Sequence, residues 1–156
     1  MPSRQPIRMW GDEKDGPPVD WSDVEARLRD AIVYWLVTDA GSRPVWGIWH
    51  DDRLLLSVGS RVLWKGLRAS SKASAHLEDA HDVVIVEGST ATITDEAELA
   101  RFCAVYNPKY RWDFTPTTTG GIVELRPDVV LAWRAGSYAD AKTDTYPLAA
   151  SRFVFD

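Results

Sequence analysis

The amino-acid sequence predicts a mainly β domain of the α+β class, a small closed or partly closed antiparallel barrel with helices at its rim. Predicted strands outnumber predicted helices, and the connections between them are short. The segment DVVIVEGSTATIT is the strongest β pattern in the chain. Gly88 interrupts that segment, which is typical of a bulge or a barrel corner.

The first half of the chain predicts one helix followed by strands. Residues 1–20 are rich in Pro, Gly and Asp and are expected to form a flexible N-terminal arm, whereas 21–156 are expected to form a single domain. Apolar residues at helical spacing in SDVEARLRDAIVYWL predict a helix that leads into a strand, AIVYWLVT. The turn DAGSR precedes two further strands, PVWGIW and RLLLSV, which are joined by the turn HDD.

The second half predicts two helices among the remaining strands. SRVLWKGLRAS has a short helical period, and KASAHLE alternates as a strand before the long β segment. DEAELARFCAVYNPKY predicts a helix that is capped by Asp95 or Thr94 and ended by Pro108. GIVELRP and VVLAWR predict a last hairpin that turns at RPD, and SRFVFD predicts an edge strand.

Composition excludes several classes of function. The net charge of −5 argues against a general nucleic-acid-binding role. No apolar stretch is long enough to cross a membrane, and the N-terminus does not look like a signal peptide, so no membrane partner is expected. A single cysteine, Cys103, cannot form a disulfide within the chain, which fits a cytoplasmic protein.

The sequence also lacks a pattern for metal or nucleophilic catalysis. His50, His76 and His81 have no metal-ligand spacing, and Cys103 lies on the apolar face of a predicted helix. We therefore expect no metal site, no catalytic triad and no side chain that acts as a catalytic acid or base.

One cluster of polar residues predicts an anion site. Arg43 begins a predicted strand, and Ser57, Gly59 and Ser60 lie where the next strand ends and a short helix begins. Antiparallel pairing brings the start of one strand close to the end of the next. Hydroxyls, main-chain N–H groups and a helix N-terminus are typical of phosphate sites, and Arg61 and Lys65 add positive charge. The alternative is a capped helix with two solvated basic side chains.

The order of these segments resembles the pyridoxamine 5′-phosphate oxidase-like, FMN-binding split-barrel family. The resemblance covers residues 21–134 and is carried by YWLVT, RPVWGIW, RLLLSVGS, LRAS, KASAHLE and DVVIVEG taken in order. AVYNPKYRWDF and VVLAW are similar to an actinobacterial branch of the family whose substrate is unassigned. The resemblance implies an antiparallel split β-barrel with peripheral helices, a homodimer, and FMN bound in a groove between the subunits.

The resemblance also implies which residues contact the cofactor. The strand that begins at Arg43 would run beneath the flavin ring, the Ser57 hydroxyl would contact the phosphate, and Trp133 would line the groove from the partner subunit. The cofactor-binding residues expected on this basis are Arg43, Pro44, Val45, Trp46, Ser57, Val58, Gly59, Ser60, Arg61, Lys65 and Trp133.

The sequence departs from the family at the phosphate site. Val62 and Leu63 stand where an arginine and a lysine are usual, so Arg61 and Lys65 are the nearest substitutes. Two lost charge-assisted hydrogen bonds cost about 3–6 kcal/mol, or roughly two to four decades in affinity. A deazaflavin coenzyme, or no cofactor, is therefore an alternative to FMN.

Two functions follow from the resemblance. The first is an FMN-dependent oxidoreductase that acts on an unidentified small-molecule substrate, in which the flavin carries the chemistry. The second is a non-catalytic flavin or deazaflavin carrier on the same barrel. Trp46 and Trp49 should point to opposite faces of one strand, and Trp64 could cover the cofactor. A substrate wall could be formed by Tyr106, Lys109, Tyr110 and Trp112. For each of these residues the alternative is packing in the core or against the barrel.

Overall fold

A computed structural model describes residues 1–7, 18–134 and 149–156. The strands are β1 (Ser3–Gln5), β2 (Tyr34–Thr38), β3 (Gly41–His50), β4 (Arg53–Ser57), β5 (Lys72–His76), β6 (Asp82–Thr92), β7 (Ile122–Arg134) and β8 (Ala149–Val154). The helices are α1 (Trp21–Asp30), α2 (Arg61–Ala69) and α3 (Glu96–Tyr110).

The strands form an antiparallel barrel that is split along one edge. Neighbouring strands follow the order β7, β4, β3, β2, β5 and β6, and β6 pairs again with β7 to close the barrel. The first part of β7 pairs with β4, whereas its last part pairs with β8, which in turn carries β1. The predicted split barrel with peripheral helices is therefore confirmed.

Two apolar clusters hold the fold together. The larger cluster fills the barrel and includes Tyr34, Leu36, Leu56 and Phe153, each almost completely buried. The smaller cluster lies between α3 and the outer face of β3 and β4, where Phe102 and its neighbours cover the outward side chains of those strands. Burial of an apolar side chain of this size stabilises a fold by about 1.5–3 kcal/mol, so α3 is an integral part of the barrel wall.

Tight turns and one bulge shape the barrel. β3 and β4 are joined by Asp51 and Asp52, both at positive φ, as a two-residue hairpin requires. The register between β6 and β7 shifts between Glu87 and Gly88, with Asp128 of β7 as the extra residue, so the bulge predicted at Gly88 is confirmed at this position. A Cβ atom at Gly88 would lie 1.8 Å from the carbonyl oxygen of Arg126, which explains why glycine is required there.

The predicted hairpin at RPD is wrong, because β7 is one continuous strand from Ile122 to Arg134. Pro127 pairs with Gly88 at the bulge, where the strand bends without reversing. The prediction that Pro108 ends its helix is also wrong, since α3 continues to Tyr110 and ends at Arg111 in the left-handed conformation. Pro108 lies in the last turn, where the loss of one helical hydrogen bond is tolerated.

The N-terminal arm has some ordered contacts within the described residues. Ser3–Gln5 pair with β8, and the Val19 side chain is buried. Residues 8–17, and 135–148 near the C-terminus, lie outside the described residues, so a flexible arm over 1–20 and a single domain over 21–156 stay predictions. The predicted edge strand SRFVFD corresponds to β8, which lies between β7 and β1.

Candidate functional site

The candidate site lies where β4 ends and α2 begins, beside the first half of β3. β3 pairs with β2 from Gly41 to Val45, but its pairing with β4 starts only at Trp46, opposite Ser57. Pro44 lies beyond that last β4 partner, and a residue without an N–H group is tolerated where a ladder has ended. The chain therefore leaves the sheet at Ser57 and turns into α2 next to an edge of β3 that has no strand partner among the described residues.

The start of β3 and the first turn of α2 meet at Gly41. A Cβ atom placed on Gly41 would lie 3.2 Å from Cγ1 of Val62 and 3.7 Å from Nη1 of Arg43. The Arg43 side chain is exposed, and its Nη1 donates a hydrogen bond of 2.7 Å to the carbonyl oxygen of Ser42. Arg43 and Val62 of the helix that follows Ser57 therefore both lie next to Gly41, while a joint role in binding an anion stays a prediction.

Ser57 and Trp46 share the outer face of the barrel. They are cross-strand partners, and the Ser57 side chain is hydrogen-bonded to Tyr106 of α3. Burial raises the pKa of the Tyr106 phenol, while this hydrogen bond opposes the rise. Ser57 therefore faces outward at the end of β4 with a tyrosine hydroxyl beside it.

The loop after Ser57 ends in a capped helix. The Ser60 side chain accepts a hydrogen bond of 3.4 Å from the Leu63 N–H, which makes Ser60 the N-cap of α2. Gly59 is exposed, and a Cβ atom there would meet nothing within 4 Å. Arg61 and Lys65 are both exposed on α2, one turn apart. A capped helix with two exposed basic side chains agrees both with the predicted anion site and with its alternative, so the assignment of Arg61 and Lys65 to a phosphate stays a prediction.

Val58 uses its main chain to fix the loop. Its N–H donates to the carbonyl oxygen of Gly121 at 2.9 Å, and its carbonyl oxygen accepts from Nε1 of Trp64 at 2.9 Å. Trp64 also packs on Gly121, where a Cβ atom would lie 2.2 Å from its ring. These contacts lie within the barrel wall. Val58 therefore holds the loop in place through its main-chain hydrogen bonds, and the Trp64 ring covers Gly121.

The two positions that are basic in the resembled family are used for packing. Leu63 is completely buried in the barrel core. Val62 is half-buried against Gly41. A lysine or arginine at the buried Leu63 position would need rearrangement of the core, so there the departure from the resembled family is part of the packing.

Side chains at the end of α3 form hydrogen bonds with the main chain of β3, which was not predicted from the sequence. Gly47 lies just beyond the end of the β2 pairing, and its N–H donates to the hydroxyl of Tyr110 at 3.0 Å. The carbonyl oxygen of Gly47 accepts from Nζ of Lys109 at 3.0 Å and from the Tyr110 hydroxyl at 2.9 Å. Two side chains of α3 therefore replace a strand partner for Gly47.

Lys109 is also surrounded by other acceptors. Its Nζ lies 3.2 Å from the carbonyl oxygen of Arg29 and 3.0 Å from the Tyr34 hydroxyl. Burial lowers the pKa of Lys109 to about 8, with Asp30 opposing the shift, and burial raises the pKa of Tyr110 to about 12. Burial also raises the pKa of Tyr34. No sequence signal identifies these contacts, because most of the acceptors are main-chain atoms.

Within one chain, Trp133 lies far from Ser57 and the rest of the candidate site. It pairs with Val83 and Ala150 on the last part of β7, whereas Ser57 pairs with Ile122 at the start of that strand. Eleven residues separate the two positions along β7, on the order of 30 Å of strand. A Trp133 that contributes to this site would therefore come from a second copy of the chain.

Within the described residues no group of three or more His, Cys, Asp or Glu side chains could hold a metal ion. Over the same residues, no helix has both the length and the apolar character that a membrane crossing needs. His50 is half-buried beside Asp51, and the half-buried His76 ring stacks on Trp35 with ring centroids 6.2 Å apart. Cys103 is buried in the cluster under α3, as predicted from its apolar helix face.

The topology and the split edge define an antiparallel split-barrel fold, and solved structures share it. No family model and no curated protein matches the sequence. A conserved hypothetical protein from Mycobacterium tuberculosis is 15% identical with a TM-score of 0.65, covering 79% of this chain and 89% of its own.

Two further structures have the same fold. General stress protein 26 from Bacillus anthracis is 16% identical with a TM-score of 0.55, covering 70% of this chain and 91% of its own. A structure described as F420 reductase is 18% identical with a TM-score of 0.52, covering 68% of this chain and 94% of its own. At these identities the likeness concerns the fold, and it agrees with the resemblance seen in the sequence.

Proposed function

We propose that this chain binds a flavin-type cofactor at the junction of β4 and α2 and acts as an oxidoreductase on a small molecule. The observation that carries the proposal is the meeting of Arg43 with the N-terminal turn of α2 beside the outward hydroxyl of Ser57. The fold shared with a structure described as F420 reductase supports a cofactor of this class.

The charges of the junction suit the anionic tail of such a cofactor. α2 has no acidic residue in its first turn, so the positive end of its dipole is not neutralised locally. Arg43, Arg61 and Lys65 place three exposed cations around that helix end. A phosphate there would accept hydrogen bonds from these side chains and from Ser57.

The donor set fits an anionic tail, but it is weaker than the set of the resembled family. Leu63 is buried and Val62 packs against Gly41, and neither apolar side chain can donate a hydrogen bond to a phosphate. If Arg61 and Lys65 do not compensate, the affinity for FMN falls by roughly two to four decades. FMN is our first choice of cofactor, and a deazaflavin coenzyme is the alternative because one structure with this fold is described as F420 reductase.

The residues of the chain would bind and orient the cofactor. When bound, a flavin supplies the electron or hydride transfer, so the protein needs no acid or base of its own. Arg43, Ser57 and α2 would hold the tail, while β3 would support the ring with main-chain atoms and with Trp46. The hydrogen bonds of Lys109 and Tyr110 with the Gly47 main chain hold β3 in place beyond the end of its pairing with β2.

We further propose that the active form is a homodimer. Five side chains point outward from the neighbouring strands β2, β5, β6 and β7, namely Trp35, His76, Ile85, Leu131 and Trp133. They form a largely apolar outer surface that would suit a second copy of the chain. In such a dimer Trp133 of one copy would complete the cofactor groove of the other.

The proposed setting is the cytoplasm. Cys103 is free and buried, which suits a reducing compartment. The net charge of −5 gives no support to nucleic-acid binding, so a small molecule is the proposed substrate.

Cofactor titration tests the proposal. Purified protein is titrated separately with FMN and with coenzyme F420, and binding is followed by quenching of the cofactor fluorescence. Arg43→Ala and Ser57→Ala should each weaken binding by about tenfold, the value of one charge-assisted hydrogen bond, while Arg101→Ala on the outside of α3 serves as the control. Absence of binding, or titrations that are the same for all four proteins, would overturn the proposed site.

Redox cycling separates the enzyme from the carrier. Reduction of the bound cofactor by NADH or NADPH, followed by reoxidation with a small-molecule acceptor, would support the oxidoreductase. A cofactor that binds but is never reduced or reoxidised at a useful rate would support the non-catalytic carrier instead.

A further inference from the structure

Two exposed surfaces of opposite charge lie side by side on this chain. The first is the solvent-facing side of α2, which carries three cations and no carboxylate, namely Arg61, Lys65 and Arg68. The second is a groove of about 510 Å³ across the outer face of β2, β5, β6 and β7, which is lined by three carboxylates, namely Asp39, Glu87 and Asp128. We call these surfaces the basic face and the acidic groove.

The acidic groove has more carboxylates than cations. Lys72 is the one cation among the described residues that line it, and its Nζ lies 2.7 Å from Oδ2 of Asp128. Asp39 and Glu87 are exposed, and neither forms an ion pair with another residue in the described part of the chain. Because two of the three carboxylates have no cationic partner there, the groove would attract a pair of positive charges.

The basic face offers such a pair. Lys65 and Arg68 are three residues apart on α2, so they project from neighbouring positions on one side of the helix. The Arg68 guanidinium lies over the Trp64 ring, 5.8 Å from its centroid, and the Trp64 Nε1 donates to the carbonyl oxygen of Val58 at 2.9 Å. Neither cation forms an ion pair within the ranges that the structure describes. Both charges are therefore available to another surface.

The two surfaces meet at the turn between β2 and β3. A Cβ atom on Gly66 of α2 would lie 2.1 Å from Oγ1 of Thr38 and 3.3 Å from the main-chain nitrogen of Ala40, so α2 packs directly on this turn. Asp39 of the same turn lines the acidic groove. In a twofold dimer every contact between two different patches occurs twice, once in each direction. A twofold axis near this turn would therefore set the basic face of each copy against the acidic groove of the other.

We propose that the acidic groove is occupied by the basic face of α2 from a second copy of the chain. Charge complementarity selects this partner, because the chain itself carries the pair of cations that the groove lacks. The groove also continues the outer surface assigned above to the dimer. Glu87 and Val129 are cross-strand partners in the groove, and the next outward pair on the same two strands is Ile85 and Leu131.

The inference rests on the homodimer of the proposed function and specifies how the two copies contact each other. It places the carboxylates of one copy beside Lys65 of the other, at the edge of the cofactor junction. The contact would also fix the rotation of one barrel against the other, which an apolar surface alone does not specify.

Charge reversal and rescue test this contact. Sedimentation velocity at several protein concentrations measures the dissociation constant of the dimer, and circular dichroism checks that each variant is folded. Arg68→Glu should raise that constant by about tenfold or more, because like charges would then face each other. Adding Glu87→Lys or Asp39→Lys to Arg68→Glu should return it to within about threefold of the value for the unchanged chain. Arg101→Glu makes the same charge change at an exposed position on α3 and is the matched control, which should leave the constant unchanged.

The outcomes separate this inference from the proposed cofactor site. A monomeric unchanged chain, a dimer that Arg68→Glu does not weaken, or failure of both rescues would overturn the inference. Titration of the same proteins with FMN and with coenzyme F420 shows whether the cofactor proposal stands. Flavin binding by a chain whose dimer is indifferent to Arg68→Glu would overturn the inference and leave the cofactor site in place. A dimer that is weakened and rescued in a chain that binds neither cofactor would support the inference and overturn the cofactor site.

Discussion

Two side chains of α3 satisfy the main-chain hydrogen bonds of β3 beyond the end of its pairing with β2. Beyond Val45, the edge of β3 that faced β2 would expose polar main-chain groups inside the protein, and buried groups of this kind are rarely left unpaired. Tyr110 accepts from the Gly47 N–H, and its single hydroxyl hydrogen has the carbonyl oxygens of Ile32 and Gly47 within reach. Lys109 donates to the Gly47 carbonyl oxygen. Because these two residues are adjacent, the end of α3 is fixed to β3 at one point.

Removal of the Tyr110 hydroxyl should destabilise the fold. Tyr110→Phe leaves the Gly47 N–H without its partner, and an unsatisfied buried group costs about 1–3 kcal/mol. Urea unfolding followed by circular dichroism would measure the loss. Tyr106→Phe is the control, because its partner Ser57 is only half-buried and can turn to water. Equal stabilities for Tyr110→Phe and the unchanged chain would contradict the role given to this hydroxyl.

The Lys109 amine should give the protein an unusual dependence on alkaline pH. Its pKa in the folded state is about 8, below the ordinary value of 10.5, so between these values the unfolded chain binds more protons than the folded one. Stability contributed by this group therefore rises with pH from about 8 to 10. Tyr110, whose pKa is raised to about 12, gives the opposite slope above its ordinary value of 10.

Lys109→Met isolates this effect. The free energy of unfolding of the unchanged chain, measured in urea from pH 7 to 10, should increase relative to that of Lys109→Met by roughly 1 kcal/mol, a figure reduced for partial solvent screening. Lys72→Met, which removes an exposed amine paired with Asp128, is the control for the loss of a lysine side chain. A difference between Lys109→Met and the unchanged chain that is flat with pH would exclude a depressed pKa.

At the scale of elements, the bulge in the pairing of β6 with β7 shapes the barrel, with Asp128 of β7 as the extra residue. Gly88 faces the main chain of Arg126 and Pro127 so closely that an added Cβ atom would lie 1.8 Å from a carbonyl oxygen. Since both neighbours are backbone, they cannot move aside as a side chain could. Gly88→Ala should therefore cost about 3 kcal/mol or more, or prevent folding.

Gly59→Ala is the matched control for this element. It adds the same methyl group where nothing lies within 4 Å, so its unfolding free energy should stay within about 0.5 kcal/mol of the unchanged chain. Urea unfolding of the two variants checks the pair. A Gly88→Ala protein as stable as Gly59→Ala would show that the strands at the bulge can separate without cost.

The elements also show what the sequence can and cannot predict. Periodicity and turn residues identified most of the strands, α2 and the Gly88 bulge, because those features depend on local patterns, but they missed β1 and divided β7 in two. The Arg-Pro-Asp stretch at 126–128 looks like a turn, but its partner across the sheet is the bulge at Gly88, which no local pattern records. The hydrogen bonds of Lys109 and Tyr110 with Gly47 were not predicted for the same reason, because side chains distant in sequence bind main-chain atoms there.

At the scale of the whole molecule, the outer surface formed by β2, β5, β6 and β7 is the face that we propose contacts a second copy. The strand positions flanking Leu131 are completely buried in the barrel, so Leu131 itself points outward between Ile85 and Arg152. Trp133 lies on the same face, far along β7 from Ser57. A dimer through this surface would explain both the apolar outer residues and the position of Trp133.

Leu131→Glu tests that dimer without entering the barrel core. The unchanged chain should sediment as a dimer, whereas the variant should sediment at about half that mass, because a carboxylate buried in an apolar interface is strongly unfavourable. Its circular dichroism spectrum should stay that of the folded chain, since the side chain points outward. Flavin affinity should fall by at least tenfold, as each site would lose the partner's Trp133. Val105→Glu, at an exposed position on α3, controls for the added charge. A monomeric unchanged chain that binds flavin tightly would exclude any contribution of a second copy to the site.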